Sequence, residues 1–280
     1  MEAFTLEKLE ELREAILDMP LLPAFEADLE NSFREILGGE MGAVPVFLRS
    51  DTNMEDLKEF TGAGLNLTLF NVREAQKIID GIKQVWASPY TERSFKWRQR
   101  YLLNPENVFP SILVIPGVNN DCSGVMITKG VTSGSLEDVT IAFSRGVGGA
   151  VEGQMAESYL LESNGENHLL SPAREPVYTI LPAEGGTEKR HTTFETPILS
   201  NYQVAAIRQF VPQLKRILPT APGIETDGPF DVELGFQGNK LWLFQARPFV
   251  ENKNALSSGY LESLNPNISG DKAVKMTVPL

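Results

Sequence analysis

The segment Asp231-Val-Glu-Leu-Gly-Phe-Gln-Gly-Asn-Lys-Leu-Trp-Leu-Phe-Gln-Ala-Arg-Pro248 limits the possible folds of this chain more than any other stretch. Two apolar-rich runs flank a Gly238-Asn239 turn signal, the pattern of a β-hairpin. A two-residue loop would pair Glu233 with Phe244. A three-residue loop, Gly238 to Lys240, would pair Asp231 with Arg247, Glu233 with Gln245 and Leu234 with Phe244. Successive strand residues take opposite faces, and a one-residue slip exchanges the faces. The three-residue loop sorts the hairpin better. One face then carries Val232, Leu234, Phe236, Trp242, Phe244 and Ala246, and the other carries Asp231, Glu233, Gln245 and Arg247 with Leu243 beside them.

A carboxylate and an amide oxygen on neighbouring strands can hold a hard cation such as Mg²⁺, which takes oxygen ligands and shares its shell with water and phosphates. An adjacent guanidinium can fork onto phosphate oxygens. The same four residues also suit a solvated face with cross-strand ion pairs, and the hairpin alone leaves both readings open.

Composition narrows the function classes. A chain of 280 residues fits one large domain or two small ones, with ample core. The formal net charge of −12 argues against a nucleic-acid surface, because phosphate backbones are bound through clustered Lys and Arg. It does not argue against a nucleotide, which needs only a few local positive groups. No apolar run approaches the ~20 residues of a membrane span, and no signal-peptide pattern leads the chain. The single cysteine, Cys122, excludes an internal disulfide and fits a reducing, cytoplasmic setting. His168 and His191 stand in no spaced ligand motif and read as surface or loop residues.

Before the hairpin, helical stripes are expected at residues 5–18, again from Phe25 to Leu37, and from Val72 to Trp86. Pro45 to Leu48 reads as a short buried strand delivering a loop, Arg49-Ser-Asp-Thr-Asn-Met-Glu-Asp56, which can present a guanidinium to phosphate or be merely an exposed acidic loop. Gly62-Ala-Gly64 reads as a bend before a strand from Leu65 to Phe70. Tyr90 to Leu103, rich in Arg and aromatics, reads as a partly buried helix. Short β runs are expected at 112–115, 124–128, 139–144, 158–161 and 177–181. Among them, Arg145-Gly-Val-Gly-Gly-Ala-Val-Glu-Gly153 has glycines that would let backbone N–H groups approach phosphate, but it lacks the Lys-Ser/Thr ending of a P-loop. Ser200 to Gln203 has the form of a capping box opening a helix to Leu218, with a kink expected at Pro212. The tail after Phe249 is polar.

Read together, these segments resemble the nucleotide-binding domain shared by phosphoenolpyruvate synthase, pyruvate phosphate dikinase, rifampicin phosphotransferase and the glucan water dikinases. Leu48-Arg-Ser-Asp-Thr-Asn-Met-Glu-Asp-Leu57 resembles that family's Val-Arg-Ser-Ser…Glu-Asp-Leu stretch, continued by Gly62-Ala-Gly-Leu65 and Asn71-Val72. Val85-Trp-Ala-Ser88 with Arg93, Ser123-Gly-Val-Met126, and Asp231-Val-Glu233 with Leu243-Phe-Gln-Ala-Arg-Pro248 are similar to its helix, strand and closing hairpin. The likeness spans about residues 8 to 250.

The resemblance implies an α+β, ATP-grasp-like architecture: mixed or antiparallel sheets flanked by helices, with ATP between two lobes. It divides the chain into the remainder of a first lobe (1–105, with the Arg49 loop), a complete second lobe (106–252) and a C-terminal tail (253–280). It also implies roles. Arg49 would touch ATP phosphates, Glu233 and Gln245 would hold Mg²⁺, Arg247 would bind phosphate and Asp231 would support them. Gly146 to Gly149, including Gly148, would lie along the phosphates; Leu243 is placed under the adenine on geometric grounds. In the family this domain passes the ATP β-phosphoryl group to a histidine on a separate swivelling domain, which then hands it to a third component.

Departures from the family pattern temper those roles. Gly-Leu-Gly-Glu appears here as Gly146-Val-Gly-Gly149, without the carboxylate. The usual Gln near the adenine hinge is Ile115, and Arg-Asp-Pro is Lys129-Gly130-Val131. The glycine- and lysine-bearing first part of the N-terminal lobe and the phosphohistidine segment have no counterpart. The expectation is therefore a dikinase fragment, inactive alone. The alternative is a degenerate domain that acts as a binding or regulatory module.

Overall fold

The computed structural model describes residues 2–54, 56–57, 60–61, 67–149 and 156–251. The expected bend at Gly62 to Gly64, the start of the strand expected from Leu65, the glycine loop from Ala150 to Gly153 and the tail 253–280 lie outside the described residues. Met1–Phe249 form one compact unit and Val250–Leu280 a second. Every described helix and strand belongs to the first.

Two helices open the chain, α1 (Glu2–Asp18) and α2 (Pro23–Ile36). Pro23 sits at the start of α2, where its missing N–H costs nothing. The helix closes at Gly38 in the left-handed region (φ 74°), and the Gly39 N–H returns to the Phe33 carbonyl at 3.3 Å. Then come β1 (Val46–Thr52), the short pair β2 (Asp56–Leu57) and β3 (Phe60–Thr61), and β4 (Thr68–Val72). After these lie α3 (Ala75–Ala87), α4 (Glu92–Tyr101) and β5 (Pro110–Pro116). The longer strands form an antiparallel sheet in the order β4-β1-β5.

The apolar stripe of α3 lies on this sheet, so Ile78, Ile82 and Val85 pack with Val46, Leu48 and the Phe33 of α2. Gly81 makes the close approach possible: a Cβ there would stand 2.5 Å from Leu48 Cδ1. Each fully buried aliphatic in such a layer contributes on the order of 1.5–3 kcal/mol.

The second sheet follows, with β6 (Cys122–Ile127), β7 (Val139–Arg145), β8 (Glu157–Leu161) and β9 (Asn167–Ser171). A hairpin of β10 (Val177–Ile180) and β11 (Glu188–His191) and then α5 (Asn201–Ile217) interrupt it. The closing pair β12 (Phe230–Gln237) and β13 (Lys240–Pro248) completes the order β13-β12-β6-β7-β8-β9, antiparallel throughout. Helix α5 covers one face. Val204, Ile207, Val211 and Leu214 recur at helical spacing and meet Met126, Ile141, Phe143, Val232 and Leu234 from the strands. Ser200 and Gln203 make the expected capping box, with both reciprocal bonds formed. The helix continues through Pro212 to Ile217. Among the described residues, no helix is long and apolar enough to cross a membrane.

Several expectations need correction. Arg49 lies inside β1 and not in a loop. β5 pairs along its whole length with β1, so the passage between the two sheets falls at residues 117–121. The closing hairpin has a two-residue loop, with Gln237 opposite Lys240. A bulge at Phe244, between the pairs Leu234–Leu243 and Glu233–Gln245, then shifts the ladder by one. The expected pairs Asp231–Arg247 and Glu233–Gln245 therefore form, and the expected Leu234–Phe244 pair does not. Trp242 faces Gly235, and Leu241 takes the core position opposite Phe236 that is expected of Trp242.

Candidate functional site: a carboxylate–arginine cleft

Val232 and Leu234 enter the core beneath α5, so Asp231 and Glu233, alternating with them, stand on the uncovered face of the six-stranded sheet. Register places Val125 beside Glu233 and Ile127 beside Asp231 on β6. Past the bulge, Gln245 and Arg247 of β13 share that face. This is the polar cluster that the hairpin pattern leads one to expect.

The other sheet supplies the partner. In β1, Val46 and Leu48 face α3, while Phe47 and Arg49 point the opposite way. Phe47 packs with Val147 from the loop after β7 and with Leu181 from the end of β10. Two residues on, Arg49 crosses to the uncovered face. Its Nη1 donates to Glu233 Oε2 at 2.7 Å and its Nη2 to Glu233 Oε1 at 3.2 Å; the same Nη2 also donates to Gln245 Oε1. The pair is only partly exposed, Arg49 at 24% and Glu233 at 14%. Beside it, Arg247 Nε and Nη2 donate to Asp231 Oδ2 at 3.1 and 2.9 Å.

Three oxygens of two side chains thus converge on one cationic group. A carboxylate and an amide carbonyl are the right donor types for Mg²⁺, so the residues present fit that ion.

The glycine loop divides in two. Gly146 has φ 68° and Gly148 φ 76°. The Gly146 N–H donates to the Asp121 carbonyl at 2.8 Å and the Val147 N–H to the Thr179 carbonyl at 2.9 Å. Ser123 Oγ donates to the Gly146 carbonyl. A Cβ at Gly146 would stand 1.9 Å from the Thr179 oxygen. Gly146 is therefore a close-packing glycine whose donor is committed to protein, and Val147 is buried. Any approach to phosphate by this loop begins at Gly148. Leu243, expected beside the polar row, instead stands opposite Leu234 and is 49% exposed.

Further features carry no sequence signal. Asn71, at φ 53°, donates through Nδ2 to the carbonyls of Pro182 and Gly186, clasping the β10–β11 turn onto β4. Near that turn, Asn119, Asp121, Tyr178, Leu181 and Arg190 line a cavity of about 520 Å³. Asn120, also on its wall, leaves Oδ1 buried without a partner and fills the space above Gly235, two residues along β12 from Glu233. These residues come from separate strands and loops, so only the fold unites them. His168 is half exposed between Glu162 and Glu166, and His191 is exposed on β11. Cys122 is buried on β6, and burial pushes its thiol up to about 12, with Asp121 and Glu157 adding to the shift.

Comparison with known proteins gives this geometry a context. The phosphoenolpyruvate synthase of Neisseria meningitidis is 26% identical over 277 residues, 94% of this chain and 34% of that protein. A probable phosphoenolpyruvate synthase of Staphylothermus marinus is 31% identical over 145 residues, 51% of this chain and 17% of its own. The phosphoenolpyruvate synthase of Pyrococcus furiosus is 30% identical over 147 residues, 52% of this chain and 18% of its own. The chain thus spans about a third or less of the length of these relatives. The family model for the pyruvate phosphate dikinase AMP/ATP-binding domain matches residues 4–264. That match covers nearly the whole chain, Arg49, Glu233 and Gln245 included, and the chain belongs to this family of nucleotide-binding domains.

Proposed function

We propose that the protein is the ATP- and Mg²⁺-binding part of a dikinase-type phosphotransferase, with an ATP-grasp-like cleft between its two sheets. The observation that carries this reading is the meeting of Arg49, from one sheet, with Glu233 and Gln245, from the other. Glu233 and Gln245 would hold the metal, which when bound neutralises phosphate charge and polarises the phosphoryl group. Arg49 and Arg247 are the guanidinium groups that would take phosphate oxygens, and Asp231 orients Arg247 through its bond to Nε. Preorganised cations of this kind offset charge that develops on a transferred phosphoryl group. The β-phosphoryl group would pass to a histidine on a separate domain, so this chain alone would bind nucleotide without turning it over. Gly148 would approach the phosphates; Leu243, expected under the adenine, pairs with Leu234 of the α5-side row and is given no part in the cleft.

A second reading has its own support. The N–H groups of Gly146 and Val147 are committed to protein carbonyls, and Gly149 stands where the family carries a carboxylate. A domain so altered would serve as a regulatory module that holds nucleotide weakly. Calorimetric titration with ATP plus Mg²⁺ separates the two. Saturable binding that is lost in Glu233→Ala supports the phosphotransferase reading. Absence of binding, both by this chain and by a longer protein containing it, leaves the regulatory one.

A further inference from the structure

The ion pairs of the cleft imply an order of events that the roles above do not. Both oxygens of Glu233 and the oxygen of Gln245 accept from one guanidinium, and Asp231 accepts from another. Among the described residues, each carboxylate of the cluster already faces a guanidinium, Glu233 that of Arg49 and Asp231 that of Arg247, so a lone dication must compete with a cation in place. A metal ion near Glu233 would also find the Arg49 nitrogens within hydrogen-bonding reach of the same oxygens, where octahedral Mg²⁺ needs ligands at about 2.0–2.1 Å, so the two cations compete for the same lone pairs. A nucleotide alone fares no better: its phosphates can take Arg49 only by leaving Glu233, an unpaired and mostly buried carboxylate, beside their own negative charge. Both costs vanish together when polyphosphate takes the arginines and the metal takes the carboxylate.

Resting on the reading of Glu233 and Gln245 as metal ligands, we propose that Arg49 is a tethered counter-cation. It excludes a divalent ion from these oxygens until the phosphates draw the guanidinium away, so that metal and nucleotide enter as one unit. The two ligands are then positively coupled through a residue that exchanges partners.

The test uses Mn²⁺ as a paramagnetic probe, added to the chain without nucleotide and followed by electron paramagnetic resonance. The wild type should bind it weakly. Arg49→Met should bind one equivalent at least about tenfold more tightly, within the usual range of such couplings, and adding Glu233→Gln to that variant should abolish the gain. Equal affinity of wild type and Arg49→Met overturns the proposal, as does a gain that survives Glu233→Gln. Should Arg49→Met fail to fold by circular dichroism, Arg49→Lys decides. Its single ammonium cannot fork onto both carboxylate oxygens, so an intermediate gain is expected, and affinity equal to wild type overturns the proposal. Failure here is distinct from failure of the phosphotransferase reading: the wild type can bind ATP with Mg²⁺ in calorimetry and still take Mn²⁺ unaided, which sinks only the counter-cation.

Discussion

Arg98 and Arg49 are both surrounded by oxygen, but by oxygen of different kinds. Arg98 of α4 is 2% exposed and donates to backbone carbonyls, Pro105 at 2.9 Å and Pro89, with Ser94 Oγ alongside and the rings of Tyr90 and Phe95 about 6 Å away. Burial lowers its pKa, and the Tyr90 hydroxyl pulls in the opposite direction. Carbonyls cannot leave, so Arg98 is a permanent brace for the corner around α4. Arg49 meets side-chain oxygens from another sheet and is partly exposed. Those oxygens can turn to another cation, and the guanidinium can turn to another anion. The two differ in whether their partners are backbone or side chain, more than in how many bonds they make, and the proposed role of Arg49 depends on that difference.

The sharpest test of that contrast is Arg98→Ala. It strands two carbonyls that bond a charged donor, at about 1.5–3 kcal/mol each, so a loss of about 3–6 kcal/mol is expected in urea unfolding. A loss below about 1 kcal/mol, the scale of an ordinary surface pair, would erase the distinction.

Glu233→Gln should weaken binding as well. Stability should fall by about 1–3 kcal/mol, as for one lost partner of a mostly buried pair, while calorimetric affinity for ATP plus Mg²⁺ drops on the order of tenfold or more. A protein that melts early with its affinity intact would place Glu233 among the braces.

Gly146→Ala extends the comparison to the loop. The left-handed backbone costs about 1–2 kcal/mol without glycine, and the Thr179 oxygen blocks the new methyl group. A fall of a few degrees in Tm is expected, and an unchanged melting curve would free Gly146 for a role at phosphate.

The smallest effect belongs to Cys122. A thiol raised by burial contributes stability below its ordinary value of 9.0, and that stability is lost as pH climbs toward about 12. Wild-type stability should therefore decline over that window more steeply than that of Cys122→Ala. The native thiol should also resist a disulfide reagent at mildly alkaline pH; rapid reaction there would mean the core under β6 is open.

Much of this is legible in the chain. The Ser200/Gln203 box, the α3 stripe and the acid, amide and guanidinium of the hairpin follow from spacing alone. The misses have physical causes. β9 is almost wholly exposed and β11, Glu-Lys-Arg-His, entirely so; neither alternates, because pairing and not burial holds them. The Phe244 bulge has no glycine to announce it, so residue patterning assigns to the turn a shift that happens within the strand. The contact between Arg49 and Glu233 joins residues 184 apart, and only the fold could bring it to view.

That bulge has a consequence for how the hairpin can vary. Without it, a ribbon closed by the same two-residue turn would set Gln245 opposite Val232 and Arg247 opposite Phe230, both in the core. The extra residue works as a phase adjuster: the tip keeps the alternation that suits packing against α5, while the far end keeps the one that suits the cleft. Excising Phe244 altogether would leave both halves in step, whereas inserting one residue between Phe244 and Gln245 would turn the cleft's amide and arginine inward. The length between the turn and Gln245 is thus constrained on one side only: the ribbon can lose its extra residue and keep its pairing, and cannot gain another.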